Sequence, residues 1–174
     1  LAFRLSLLEG MPRHAAVLKL AAEKAGWGTK LPAGRARGLA LHESFGSIVA
    51  DVVEVSLQNG KPRVHKVVCT IDCGTVVNPG IVAQQMEGGV IFGLSAALYG
   101  RIDIEGGAVK QSNFHDYPML SLAEAPVIET HIVPSTRPPA GVGEPGTPPL
   151  APALANALFA LTGQRLRRLP LSLG

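Results

Sequence analysis

The sequence predicts an α+β fold with mixed sheets and two principal helices, and three features carry that reading. Two β-branched runs, Ser47–Leu57 and Arg63–Ile71, flank an Asn59-Gly60 pair, a strong hairpin signal. Two long apolar segments, Gly80–Leu98 and Leu150–Leu161, carry helix start signals. Hydrophobic residues make up 47% of the 174, enough to give these elements a core.

Taken in order, Pro12–Ala25 reads as a helix, with Pro12 in its first turn, alanines through its length and Gly26 as its stop. A basic stretch, Lys30–Arg37, follows and reads as a solvated loop and linker. The chain therefore divides into an N-terminal helix and linker, 1–38, and a larger unit, 39–174. Leu39–His42 and Ser47–Leu57 read as strands. In the second, Val49, Val53, Val55 and Leu57 point one way and Ile48, Ala50 and Val52 the other, so both faces are expected to be covered. Asp51 is an exception among the apolar residues of its face. In the partner strand Val64, Val68 and Thr70 oppose Val67, Cys69 and Ile71. Gly46, between the first two strands, lies where backbone could approach a ligand, although a Gly there also suits a plain turn.

Asn78 is a good N-cap and Pro79 a good first residue for the helix that runs to about Leu98. Gly88, Gly89 and Gly93 lie inside it, each about 1 kcal/mol less favourable than alanine. Such residues are tolerated where another backbone or a ligand must come close. Gln85 offers an amide that both donates and accepts, or is simply a surface residue. Arg101–Ile104 and Val109–Gln111 read as a second hairpin around Glu105-Gly106-Gly107. Ser112–Met119 is an irregular loop holding His115 beside Asp116, and adjacent residues seldom face one another as an acid–base pair must. Val127–Val133 alternates as a strand, and Arg165–Pro170 reads as a short terminal strand.

The last helix is preceded by Gly141-Val142-Gly143-Glu144-Pro145-Gly146-Thr147-Pro148-Pro149. Glycines and prolines alternate there, so one carboxylate, Glu144, sits on a shaped turn. Thr147 is read as the N-cap, Pro148 as the first helical residue and Gly163 as the stop. Taken alone, Glu144 suits either catalysis or an exposed acid favoured by the helix dipole.

Composition narrows the partners. A net charge of +3 is too small and scattered for nucleic-acid binding. The charged fraction, 17%, is low enough that part of the surface is expected to be covered by something else. The longest apolar run, near Val90–Leu98, is too short to span a bilayer, so no membrane-spanning segment is expected. The chain begins at Leu1 without Met and reads as a piece of a longer protein. Cys69 and Cys73 lack metal-ligand spacing, and both read as small buried residues.

Gln85-Met86-Glu87-Gly88-Gly89 followed by Gly93-Leu94, Asn113-Phe114-His115-Asp116-Tyr117 and Gly143-Glu144-Pro145 form an ordered set, preceded by Asp72-Cys73-Gly74 and Asn78-Pro79. This set resembles the molybdopterin-binding catalytic subunits of the xanthine dehydrogenase and aldehyde oxidase family, at their C-terminal end. It is most similar to the branch containing isoquinoline oxidoreductase and related aldehyde dehydrogenases. The resemblance implies that Glu144 is the general base in an oxidation of an aldehyde or N-heteroaromatic carbon that takes its oxygen from water. It implies that Gln85, with Gly88 and Gly143 around it, contacts a molybdenum cofactor, molybdopterin cytosine dinucleotide. It further implies [2Fe–2S] clusters in a small partner subunit, an upstream part of the catalytic subunit and a small-molecule substrate. No protein ligand to the metal is implied. The rival reading is a non-catalytic segment that only completes a larger subunit.

Overall fold

The computed structural model describes residues 1–173. Two short helices, α1 (Ala2–Ser6) and α2 (Pro12–Lys24), lead into an antiparallel meander of β1 (Arg35–Ser44), β2 (Ser47–Gln58) and β3 (Lys61–Asp72). Both meander turns have two residues at positive φ, Phe45-Gly46 (55° and 77°) and Asn59-Gly60 (52° and 76°). Such turns match the strand twist, and Asn59-Gly60 does so as the sequence predicts. Then come α3 (Pro79–Leu98), a small hairpin of β4 (Ile104–Glu105) and β5 (Ala108–Val109), β6 (Val127–Ile132) and α4 (Leu150–Thr162). The main sheet has the order β1-β2-β3-β6, with β6 parallel to β3. The α+β class, the mixed sheet and the two principal helices agree with the sequence reading.

The alternation along β2 divides two cores. Val49, Val53 and Val55 pack with Met86, Val90 and Leu94 of α3 and Leu150, Leu154 and Leu158 of α4. Ile48, Ala50 and Val52 pack with Val17, Leu18 and Ala21 of α2. Leu57 falls beyond this cover and is exposed. On β3 the pairing skips His65 at a bulge, with Lys66 opposite Glu54 but Val64 opposite Val55. The bulge swings Val64 onto the face of Val67, Cys69 and Ile71, so the predicted opposition fails there. Helix α3 is 20 residues long and apolar enough to match a membrane span by length and composition. Here it is a packing helix, with Met86, Val90 and Leu94 fully buried on the sheet.

Asn78 caps α3 as expected, its side-chain oxygen accepting from the Ile81 N–H at 3.2 Å. Gly163 ends α4 in the left-handed conformation. Four local expectations change. The basic stretch ends sooner, because Arg35 and Arg37 belong to β1 and both bind Glu54 on β2, at 2.8 and 3.3 Å. Helix α4 begins at Leu150 behind Pro149, not at Pro148 behind Thr147, because the Thr147 hydroxyl donates to the Gly89 carbonyl instead. The second hairpin is shorter than predicted, with Glu105 in a strand and Gly106-Gly107 as the turn. Arg165–Pro170 forms no strand: the Leu171 N–H donates to Ala97 at the end of α3, and Arg165 stacks on Phe159.

The Arg35–Glu54–Arg37 group is a testable strut. Arg37 also donates to the Gly26 carbonyl at 2.7 Å, tying the end of α2 to the sheet. Replacing Glu54 with Ala leaves two guanidiniums without their carboxylate. We expect a loss of about 2 kcal/mol, less than a fully buried pair because the arginines are partly solvated. A lowered urea midpoint at constant slope would register it, and an unmoved midpoint would contradict it.

Candidate functional site

Glu144 is held by a chain of backbone contacts at the β1–β2 end of the sheet. The Ala140 N–H donates to Cys73 O at 2.9 Å, and the Gly141 N–H to Phe45 O at 3.1 Å. The Ser47 hydroxyl donates to Gly141 O at 2.6 Å. Beyond Glu144 the chain closes a turn, in which the Thr147 N–H donates to Glu144 O at 3.0 Å. Pro145 and Gly146 are buried in that turn, with the Gly146 position against Met86. The turn therefore rides directly on α3.

The helix glycines explain how it can. A Cβ on Gly89 would lie 3.3 Å from the Thr147 hydroxyl, and one on Gly93 would lie 2.9 Å from Leu150 Cδ2. Gly88 differs: nothing lies within 4 Å of its Cβ position, nor of that of Gly143. Both positions face an open cleft of about 610 Å³, which Gln85 and Glu144 also line. The four residues singled out from the sequence thus share one cavity. Gln85 and Gly88 lie three residues apart, on one face of α3.

Seven further residues line the cleft: His42, Ser44 and Phe45 from the β1–β2 end, Gly89 and Phe92 from α3, and Thr147 and Pro148 beyond the Glu144 turn. Phe92 follows Gln85 by two helical turns, a spacing that could have been noticed. Phe45 is a non-glycine residue at positive φ with an exposed ring, neither of which the sequence marks. The Glu144 carboxylate is exposed, so the dry pocket that suits a general base is not formed by these residues alone.

The other motif residues serve elsewhere. Asp72, Cys73 and Gly74 form a buried support behind the loop. His115 and Asp116 are exposed and do not line the cleft. Asp116 accepts from the Ser112 and Asn113 amides, which hold its pKa below the usual carboxylate range and make it a loop cap. A second cavity, about 630 Å³, lies by the β2–β3 turn, where three of its polar residues bond to one another. There Arg63 donates to the Glu124 carbonyl, and the Tyr99 hydroxyl to the Glu124 carboxylate.

Residues 15–126 match the molybdopterin cofactor-binding domain model. The chain belongs to this family. The molybdopterin-binding domain is 41% identical to the isoquinoline 1-oxidoreductase subunit beta of Brevundimonas diminuta, over 97% of this chain and 22% of that protein. It is 37% identical to the membrane-bound aldehyde dehydrogenase (pyrroloquinoline-quinone) of Gluconacetobacter polyoxogenes, over 92% and 22%. Among solved structures it superposes on the aldehyde oxidoreductase of Desulfovibrio desulfuricans with a TM-score of 0.62 and 32% identity, covering 71% of this chain and 14% of that one. The domain therefore spans about a fifth of the length of the first two relatives and less of the third.

The cleft is compatible with such a cofactor. Its open backbone at Gly88 and Gly143 admits close approach, and the Ser44 hydroxyl, buried at its wall, has no hydrogen-bond partner in the protein. Among the described residues no group of three His, Cys, Asp or Glu could hold a metal.

Proposed function

We propose that this domain is a C-terminal portion of a molybdenum hydroxylase that oxidises an aldehyde or N-heteroaromatic carbon with water as the oxygen source. Glu144 is its general base, while Gln85, Gly88 and Gly143 are cofactor contacts. The observation that carries this is the convergence of those residues on one cleft in a chain of this family. Bound there, a molybdenum cofactor would supply a two-electron oxidation that no side chain in the domain can perform.

The protein's own part is positioning and proton transfer. Glu144 accepts a proton at its carboxylate. Its loop is fixed at Gly141 and Thr147, so the base is presented rather than searching for its target. The Gln85 amide can donate and accept toward a heterocyclic cofactor, and the glycines let backbone polar groups reach it. Phe45 and Phe92 offer apolar surface to an uncharged substrate. The upstream part of the subunit completes the enclosure of Glu144. The cofactor form is molybdopterin cytosine dinucleotide. Electrons leave through [2Fe–2S] clusters in a small partner subunit, a role Cys69 and Cys73 cannot take because such a cluster needs more thiolates than two cysteines supply.

Glu144→Gln in the complete subunit tests the reading. Removing a general base lowers turnover by about 100-fold or more. Molybdenum content should remain at the wild-type level, because Gln keeps the shape of the side chain. Turnover within about threefold of wild type would refute the assignment.

A further inference from the structure

Arg13 stands at the start of α2, on the face of the sheet opposite α3 and α4, and does not line the cleft. Its guanidinium nevertheless reaches both turns that support the Glu144 loop. Nε donates to Asp72 Oδ2 at 2.8 Å, and Nη2 donates to Gly46 O at 3.3 Å. Asp72 is 3% exposed, and its second oxygen accepts from the Gly74 N–H at 3.1 Å. Gly74 has φ +75°, and a Cβ there would lie 2.1 Å from Pro138 O. Thr75 donates to Arg137 O through its amide at 2.9 Å and its hydroxyl at 2.8 Å. The 72–75 turn thus clamps residues 137–140, and the Phe45-Gly46 turn clamps Gly141.

We propose that Arg13 and Asp72 are positioning residues for Glu144, acting through the 137–143 segment. The proposal rests on the reading of Glu144 as the base. A buried ion pair is weak evidence for stability, since apolar residues of similar volume often serve as well. What distinguishes this pair is direction: the groups it links are turn and loop backbone at the cleft end of the sheet. The guanidinium holds the Asp72 carboxyl below its ordinary range, so the pair stays charged at neutral pH.

Two readouts on the complete, cofactor-loaded subunit decide it. The first is hydrogen exchange. In Arg13→Ala, amides of 137–147 are expected to exchange about tenfold faster, while those of Val49–Val53 stay within about twofold. Glu54→Ala, a lesion on the same face of the sheet, should not accelerate 137–147. The second is a double-mutant cycle. Arg13→Ala should lower turnover about tenfold when Glu144 is present but less than about twofold on the Glu144→Gln background. Acceleration spread evenly over the sheet, no acceleration in 137–147, or additive kinetics would overturn the proposal. If Arg13→Ala does not fold, the isosteric Asp72→Asn takes its place, and a failure of both to fold would mark the pair as merely structural. Should Glu144→Gln retain turnover, the functional reading falls, while hydrogen exchange still judges the clamp.

Discussion

Gly38→Ala is expected to unseat α4 from the sheet. A Cβ on Gly38 would stand 2.1 Å from the Ala157 nitrogen and 2.2 Å from the Ala153 carbonyl oxygen. These are backbone atoms, so no change of rotamer can relieve the clash. The strand and helix backbones would have to separate, breaking the Asn156 amide bond to Leu39 O at 3.1 Å and opening the core around Leu154 and Leu158. Overpacking of side chains typically costs 1–3 kcal/mol, and a backbone clash belongs at about 3 kcal/mol or above. For a chain of this size that is a fall in melting temperature of roughly 6–12 °C. An unchanged melting temperature would mean that α4 does not cross β1 at this residue.

The second large effect concerns pH. Asp51 lies fully buried in the middle of β2, directly across from Cys69. Neither carboxylate oxygen has a hydrogen-bond partner of ordinary geometry. Burial pushes its pKa from 3.8 up to about 7, and the Cys69 thiol offsets only part of that. The thiol is itself driven well above its usual value and stays protonated in this range. Between those two pH values the folded chain keeps a proton that the unfolded chain releases. Stability is therefore expected to fall as pH rises through this window, by roughly 1.4 kcal/mol per unit and about 4 kcal/mol in all, then to level off. Asp51→Asn removes the titration. The difference between the two proteins' unfolding free energies, measured from pH 4 to 8, isolates the contribution of this one group. Parallel curves would show that Asp51 is ionised in the folded state or not buried.

How far the sequence could be read follows from the range of the forces involved. Asn59-Gly60, the Asn78 cap and the Gly163 stop depend on neighbours within a few residues, and each forms as its local chemistry requires. The two-sided burial of β2 was legible from its alternation. Gly38 was not: read as the end of a linker, it is where α4 touches β1, and its partner is far along the chain. Thr147 has the residue type of an N-cap, yet a carbonyl on α3 takes its hydroxyl. Within the cleft, Gln85, Gly88, Gly143 and Glu144 stood out by motif, whereas His42 and Ser44 are ordinary strand residues until the hairpin end meets α3.

The parallel pairing of β6 with β3 has a consequence for assembly order. The meander joins neighbours along the chain, and its turns can close as soon as they are made. β6 must wait for all of residues 73–126 before it can dock, and non-local pairings of this kind slow folding. The cleft needs the segment after that strand, whose Gly143, Glu144, Thr147 and Pro148 form one wall and arrive from the ribosome after the hairpin and α3 walls are made. Its shape is therefore acquired late in biogenesis, and a nascent chain halted before residue 140 would hold all four strands of the sheet but neither Gly143 nor Glu144.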